Sequence, residues 1–286
     1  MAFWRGLGFV AIVLLGVAIA ALRGIEAWRK ELVIATLHLP PAFKVARDFD
    51  FGRYLLSWNG RGFVVHPQGR PEKVLWAVED GFLAAGTGQA GRGLLDSGRE
   101  LHDRRDRLCR EQSLESFERL GRRLLLKGQL RCADGSLSSY VLTLEDDGER
   151  GVVLGVTLGD PALNRIYLSW RREAGERIFG FGEVSGVHDM SGRRLAVAAA
   201  GSRAAAEEGG WNTSATQAFF VTSRLRAFQS QSVAYQLFDL RDPQRVGLEV
   251  HEGRLKAHIY KGDSLDELRA RQSSVPEAVS TPASPK

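Results

Sequence analysis

The sequence predicts an all-β protein, a large antiparallel β-sandwich that is preceded by an N-terminal transmembrane helix. Two observations predict the sandwich: short apolar segments recur at regular spacing, and glycine-rich turns separate them. A third observation, an uncharged apolar run near the N-terminus, predicts the membrane segment. The 286 residues and the 44% hydrophobic content suffice for one large β domain with its own core.

The apolar run covers residues 6–22, contains 17 uncharged residues and has arginine on both sides. As a helix it would be about 26 Å long, close to the roughly 30 Å hydrocarbon core of a bilayer. We therefore expect residues 1–22 to form a signal anchor or transmembrane helix, which would place the protein at the cell envelope. Ala18 and Ala20 also fit a signal-peptidase site, so a cleaved signal peptide and a secreted or periplasmic protein stay open. Basic residues flank both ends, and the membrane orientation therefore stays open too.

Three further segments follow the apolar run. Residues 23–42 predict a juxtamembrane helix and a linker, because apolar residues recur near helical spacing before a proline pair. The β-sandwich is expected over residues 43–271. Near its end, Ser264–Glu267 form a capping-box pattern that predicts a short helix over Leu265–Ala270. Residues 272–286 are rich in proline and small polar residues, which predicts a disordered tail.

Turn signals divide the sandwich domain into strands. Asp-Gly pairs at Asp80-Gly81, Asp134-Gly135 and Asp147-Gly148 predict tight turns, since both residue types tolerate positive φ. The last two pairs separate three apolar segments and predict an antiparallel meander. Glu252-Gly253 predicts a tight hairpin between the final two strands. The predicted strands are Arg122–Cys132, Ser138–Leu144, Val152–Leu158, Asn164–Trp170, Phe219–Val221, Ser232–Phe238, Gly247–His251 and Arg254–Tyr260.

The charge distribution argues against a nucleic-acid partner. The net charge is +5 and the pI is near 9.4, and the basic residues concentrate in residues 99–123. There Asp and Glu alternate with Arg, a pattern typical of a salt-bridged, solvated surface. The segment lacks the interleaved aromatic residues on which single-stranded bases stack. We therefore expect no nucleic acid among the partners.

The two cysteines, Cys109 and Cys132, do not have the spacing of a metal site, and no nearby histidine completes a zinc set. The sequence therefore predicts neither a metal nor a cofactor. We expect two separate buried thiols. A disulfide between them stays open if the domain lies in an oxidising compartment.

The most informative segment is Glu176–Leu195, where a Gly-Phe-Gly-Glu run ends a short apolar strand and a polar turn follows. Its glycines can adopt backbone angles closed to other residues or let another segment approach closely. Two later segments, Gln217–Leu240 and Arg254–Ala270, continue with strands, a Ser-Arg turn and the short helix. In this order, the three segments resemble the N-terminal, galactose mutarotase-like β-sandwich of glycoside hydrolase family 31, the α-glucosidase and sulfoquinovosidase family.

The resemblance implies a role in carbohydrate metabolism, namely hydrolysis of terminal α-glycosidic bonds with retention. In the family, the nucleophile and acid/base aspartates lie in a (β/α)₈ barrel of about 250 residues. We expect neither to have a counterpart in this sequence, because only a short tail follows Ala270. Asp189-Met190 is not the nucleophile, because it lacks the Asn-Glu that follows the nucleophile in the family. We therefore expect no catalytic residue in this chain, and activity only with a barrel on another chain; a truncated and a split enzyme both stay open. The alternative is a non-catalytic carbohydrate-binding or scaffold domain at the cell envelope, and the sugar and linkage stay open.

Four residues are candidate carbohydrate contacts: Glu183, His188, Asp189 and Trp211. Glu183 follows the glycines, where a carboxylate either lines a sugar pocket or anchors a turn. By the resemblance, the loop with His188 and Asp189 faces the barrel mouth, and the Trp211 indole offers a surface for stacking on a sugar ring.

Sugar mutarotases share the sandwich fold and use a His and a Glu as an acid/base pair. A shared fold does not carry function, so a mutarotase stays the weaker hypothesis. Five histidines are candidates by residue type alone: His66, His102, His188, His251 and His258.

Overall fold

The computed structural model describes residues 32–91, 102–148, 151–182, 188–197 and 217–273. These residues form antiparallel β-structure with one short helix, which confirms the predicted all-β class. The chain divides into two compact units, Met1–Val33 and Ile34–Lys286, and the following description concerns the second.

Nineteen strands lie in the described part of the chain. The first ten are β1 (Thr36–His38), β2 (Arg47–Phe51), β3 (Tyr54–Trp58), β4 (Phe63–Pro67), β5 (Trp76–Val78), β6 (Leu83–Gly91), β7 (His102–Ser113), β8 (Ser116–Leu120), β9 (Arg123–Cys132) and β10 (Leu137–Asp146). The others are β11 (Gly151–Leu158), β12 (Arg165–Arg171), β13 (Ile178–Gly180), β14 (Arg194–Val197), β15 (Phe219–Thr222), β16 (Arg226–Ser230), β17 (Gln236–Asp239), β18 (Arg245–Val250) and β19 (Arg254–Lys261), followed by the helix α1 (Leu265–Ser273).

Most strands belong to one sheet of 15 strands, whose main path is β13-β15-β16-β19-β11-β10-β9-β7-β6-β12-β18-β17-β14. A second sheet contains β2-β3-β4-β5. The two ends of the large sheet pack against each other. Trp170 on β12 stacks on Phe228 of β16 with ring centroids 5.1 Å apart, and Phe238 of β17 meets Phe220 of β15 at 6.0 Å. This shared apolar core gives the predicted sandwich.

The predicted meander and helix cap are both present. β9, β10 and β11 pair in sequence, and Gly135 and Gly148 adopt positive φ of 83° and 86° in the turns between them. At α1, the Ser264 hydroxyl accepts from the Glu267 N–H at 3.1 Å, and the Glu267 carboxylate accepts from the Asp263 N–H at 2.8 Å. The helix continues past the predicted end, to Ser273, and the rest of the predicted tail lies outside the described residues.

The predicted hairpin at Glu252-Gly253 is wrong. β18 pairs with β12 and β17, whereas β19 pairs with β11 and β16. The turn therefore carries the chain from one end of the large sheet to the other. The reason is apolar packing: Leu248 lies opposite Leu168 on β12, and Ile259 lies opposite Phe228 on β16. A local turn signal cannot report these distant partners.

The two cysteines form a disulfide, which corrects the expectation of separate thiols. Cys109 on β7 lies directly opposite Cys132, the last residue of β9, and both side chains are buried. Strand register brings the sulfur atoms together. The sequence separation of 23 residues does not reveal that register.

Part of the segment predicted as juxtamembrane helix and linker is extended instead. β1 pairs in parallel with β7, and a 3₁₀ turn follows over Pro41–Phe43. Residues 1–31, which include the predicted membrane anchor, lie outside the described residues. Within the described part of the chain, no helix has the length and apolar character needed to cross a membrane.

Candidate functional site

The Gly-Phe-Gly run ends β13 in a turn that only its glycines make possible. Gly180, Phe181 and Gly182 have consecutive positive φ of 124°, 65° and 85°. A Cβ on Gly180 would lie 2.9 Å from the Phe219 carbonyl oxygen, so this position also needs a bare backbone. A positive φ is uncommon for a residue other than glycine, and at Phe181 it places the ring against Phe220 and Phe238. Packing of Phe181 in the core therefore fixes the direction in which the backbone leaves β13.

Asp189 braces the same turn. Its Oδ1 accepts from the Ile178 N–H at 3.1 Å, from the Ser191 N–H at 3.0 Å and from the Ser191 hydroxyl. Burial by itself would raise the pKa of Asp189. Hydrogen bonds from Ser191 and Ile178, and the charge of Arg172, hold that pKa below its ordinary value. The carboxylate is therefore ionised and occupied by backbone and hydroxyl donors.

A buried ion pair lies beneath this turn. Glu176 receives two hydrogen bonds from the Arg226 guanidinium, and both side chains are almost fully buried. Burial would raise the pKa of Glu176, but the Arg226 charge and hydrogen bonds lower it. Arg172 donates to the Glu176 carbonyl oxygen at 2.8 Å and to the Ser191 hydroxyl, which links the pair to Asp189. We call Arg172, Glu176, Asp189, Ser191 and Arg226 the motif corner.

The motif corner is suited to positioning and not to proton transfer. An efficient general acid or base has a pKa near the operating pH, whereas both carboxylates here have a lowered pKa. The cavity beside Glu176 and Arg226 measures about 20 Å³, which is room for about one water molecule. No group of three potential metal ligands occurs among the described residues.

The structure places only two of the four predicted carbohydrate contacts. Asp189 lies in the motif corner, and His188 is exposed beside it. Glu183 and Trp211 lie outside the described residues, and contact of these four residues with a sugar stays a prediction.

A second polar cluster lies on the sheet face that points away from the core. On β18, Val246, Leu248 and Val250 join the core, so Glu249 projects to the other side. Arg105 on β7 donates to Glu249 at 3.1 Å, and His251 Nε2 lies 3.1 Å from the other carboxylate oxygen. We call Arg105, Tyr167, Glu249 and His251 the outer-face cluster.

The charges of the outer-face cluster keep Glu249 ionised although its side chain is nearly buried. Burial would raise the pKa of Glu249, but the hydrogen bond from His251 and the charge of Arg105 lower it. The Arg105 guanidinium also lies over the Tyr167 ring, 5.3 Å from its centroid. Sequence reasoning named His251 only by residue type and missed Glu249. The alternation along β18 is the signal that puts Glu249 and His251 on one face.

Comparisons with known proteins support the fold. No protein-family model matches the chain. A sulfoquinovosidase from Agrobacterium fabrum is 26% identical over 155 residues, which cover 49% of this chain and 23% of that protein. A family 31 sulfoquinovosidase from E. rectale, solved with an aza-sugar inhibitor, matches with a TM-score of 0.52 and 15% identity. That match covers 79% of this chain and 33% of the solved chain.

The chain resembles the N-terminal sandwich of glycoside hydrolase family 31. The resemblance predicted from three sequence segments is thus confirmed. At 15% identity the structural match shows the fold alone, and the chain spans about a quarter of the curated relative, 23% of its length.

Proposed function

We propose that this chain is the sandwich domain of a family 31 α-glycosidase and that it works with a (β/α)₈ barrel that carries the catalytic aspartates. The observation that carries the proposal is the match to a sulfoquinovosidase over 155 residues at 26% identity. The sandwich fold also supports it, through a structural match that covers 33% of a second sulfoquinovosidase. The reaction of the assembled enzyme is hydrolysis of terminal α-glycosidic bonds with retention.

In this proposal the sandwich positions the loop that meets the barrel, and the barrel supplies the catalytic carboxylates. Retaining hydrolysis needs two carboxylates about 5–5.5 Å apart, one as nucleophile and one as acid/base. Glu176 is held by Arg226, and Asp189 by the donors of Ser191 and Ile178, so neither is available. By the resemblance, the turn after β13 faces the barrel mouth. The motif corner then fixes where the loop with His188 meets that barrel.

The test compares three preparations on an aryl α-glucoside and an aryl α-sulfoquinovoside. They are the purified chain, a barrel encoded next to it in the genome, and the two together. We expect turnover only from the combination. Turnover by the chain alone, or a barrel whose activity does not change when the chain is added, contradicts the proposal.

The second candidate function is non-catalytic carbohydrate binding or scaffolding at the cell envelope. A polar groove that borders the motif corner through Arg172, described in the next section, favours it. Calorimetric binding of a sugar without turnover, and without activation of any barrel, supports this candidate over the first.

We also propose that residues 6–22 anchor the chain in a membrane with the sandwich on an oxidising side. The uncharged apolar run supports the anchor, and the Cys109–Cys132 disulfide supports the compartment because disulfides persist where thiols are not kept reduced. Deletion of residues 1–22 should release the chain from the membrane fraction. In freshly lysed cells, thiol labelling of Cys109 and Cys132 should require prior reduction of the disulfide. Labelling without a reductant contradicts the proposed oxidising compartment.

A further inference from the structure

A groove of about 400 Å³ opens where β12 ends beside the turn that precedes β18. Ser169 and Trp170 of β12 line it together with Asp242, Gln244 and Arg245. Its volume lies within the roughly 300–1,000 Å³ of small-molecule pockets. All of these residues belong to the described part of the chain.

Several polar groups in this groove have no protein partner. The Ser169 side chain is only 5% exposed, and its hydroxyl makes no hydrogen bond within the described residues. The Gln244 amide and the Arg245 guanidinium likewise make none within that part of the chain. Among the described residues, the Asp242 carboxylate accepts only from the Gln244 N–H, at 2.8 Å. Asp242 and Gln244 are exposed to solvent, so a molecule that enters the groove can replace water at these polar groups.

The other charged side chains at the groove already have protein partners. Arg172, which the groove shares with the motif corner, donates to the carbonyl oxygens of Glu176 and Leu240 and to the Ser191 hydroxyl. Arg171 donates to Glu79 at 2.8 Å, and Glu173 lies 3.1 Å from Arg224. The groups left for a ligand are one cation, one anion, an amide and a hydroxyl, so donors and acceptors are mixed. Sugar hydroxyls both donate and accept hydrogen bonds, and they fit this mixture. A free anion would lie close to Asp242.

We propose that this groove binds a neutral sugar of monosaccharide size, at a site that borders the motif corner through Arg172. Arg245 and Gln244 donate to sugar hydroxyls, Asp242 accepts from them, and Ser169 contacts the part of the sugar that enters deepest. The site rests on carbohydrate binding, the second candidate function, and it needs no barrel.

The test is isothermal titration calorimetry of the purified full-length chain with methyl α-D-glucopyranoside, methyl α-D-galactopyranoside and methyl α-D-mannopyranoside, and with D-glucuronate as the anionic probe. We expect saturable binding of one neutral glycoside per chain and weaker binding of glucuronate. Gln244→Ala and Arg245→Ala should each weaken the affinity about tenfold. Both substitutions keep the backbone hydrogen bonds of the turn.

Arg254→Ala is the matched control, because Arg254 is an exposed arginine at the start of β19 and outside the groove. It should leave the affinity unchanged. The proposal is overturned if none of the three glycosides binds, if glucuronate binds more tightly, or if Gln244→Ala and Arg245→Ala bind like the unmodified chain. Unchanged thermal unfolding of the variants shows that they fold.

The outcomes separate this site from the first proposed function. A chain that activates a barrel but binds none of these glycosides keeps that function and loses the groove site. A chain that binds a glycoside in the groove but activates no barrel keeps the groove site and loses that function.

Discussion

The motif corner and the outer-face cluster both hold an ionised carboxylate against arginine, yet they are built differently. In the motif corner, Arg172 donates to the backbone carbonyl oxygens of Glu176 and Leu240 and to the Ser191 hydroxyl, so it ties backbone segments together. In the outer-face cluster, Arg105 and Glu249 are 144 residues apart and meet only through side chains.

The difference separates two uses of buried charge. The motif corner shapes a turn, because its polar groups satisfy backbone donors and acceptors that would otherwise be buried without partners. The outer-face cluster shapes no turn and depends on the ionised state of Glu249. The carboxylates of both clusters have a lowered pKa, so the contribution of each cluster to stability should fall in acid. The motif corner also holds backbone groups in place, and it should respond most strongly to the loss of a side chain.

The largest effect should follow removal of the arginine from the motif corner. Arg226→Ala leaves the Glu176 charge buried and unpaired, so we expect the free energy of unfolding to fall by about 3–5 kcal/mol. Urea denaturation at neutral pH measures it. Arg224→Ala is the control, since its ion pair with Glu173 is solvent-exposed and should contribute less than about 1 kcal/mol. Equal losses in the two variants would show that the corner is not held by its buried pair.

The disulfide supports the outer-face cluster, because it ties β7, the strand of Arg105, to β9. Replacing both cysteines by serine should lower the free energy of unfolding by about 3 kcal/mol, since the unfolded chain then loses a cross-link. The free energy of unfolding of the oxidised chain, compared with and without reductant, gives the contribution of the disulfide. A reduced chain as stable as the oxidised one contradicts the expectation.

Acid should weaken the outer-face cluster through Glu249. The pKa of Glu249 is lower in the folded chain than the ordinary value of 4.5. Its ionised form therefore stabilises the fold above about pH 4.5, and that contribution disappears as the pH falls through the folded-state pKa. Glu249→Gln should cost about 1.5–3 kcal/mol at pH 7. Unfolding curves at pH 7 and pH 3 should show a smaller difference for this variant than for the unmodified chain, and an equal difference would contradict the assignment.

The smallest losses of stability should follow substitution of two glycines beside the motif corner, Gly180 and Gly192. Gly180→Ala adds a Cβ 2.9 Å from the Phe219 carbonyl at a φ of 124°, and should cost about 2 kcal/mol. Gly192 has a φ of 79° but open space around its Cβ position, so Gly192→Ala should cost only about 1 kcal/mol. Thermal unfolding ranks the two. The reverse order would mean that close approach is not what requires glycine in the Gly-Phe-Gly run.

Local features of the fold could be predicted from the sequence. The meander from β9 to β11 follows from alternating apolar residues and Asp-Gly turns, and the α1 cap follows from Ser264 and Glu267. These signals lie within a few residues of the structure that they predict. The family resemblance also rests on short segments, and the fold bears it out.

Long-range features could not be predicted. The partner of Cys109 depends on the register of β7 against β9, and the partners of β18 and β19 depend on which apolar faces meet across the core. The same holds for Arg105 and Glu249. For the candidate site, the sequence named Asp189 as a possible carbohydrate contact, which stays a prediction, and it did not reveal the bond of Asp189 to the Ile178 backbone. That bond depends on the return of the chain after β13.

The contacts of Asp189 and Met190 have one more consequence, for association between molecules. Ile178 lies on β13, an end strand of the large sheet, where free backbone groups invite another chain to add a strand. Its N–H is taken by Asp189 and its carbonyl by the Met190 N–H at 2.8 Å. At Ile178 both outward backbone groups therefore have partners within the chain, and a strand added at this position would find neither of them open.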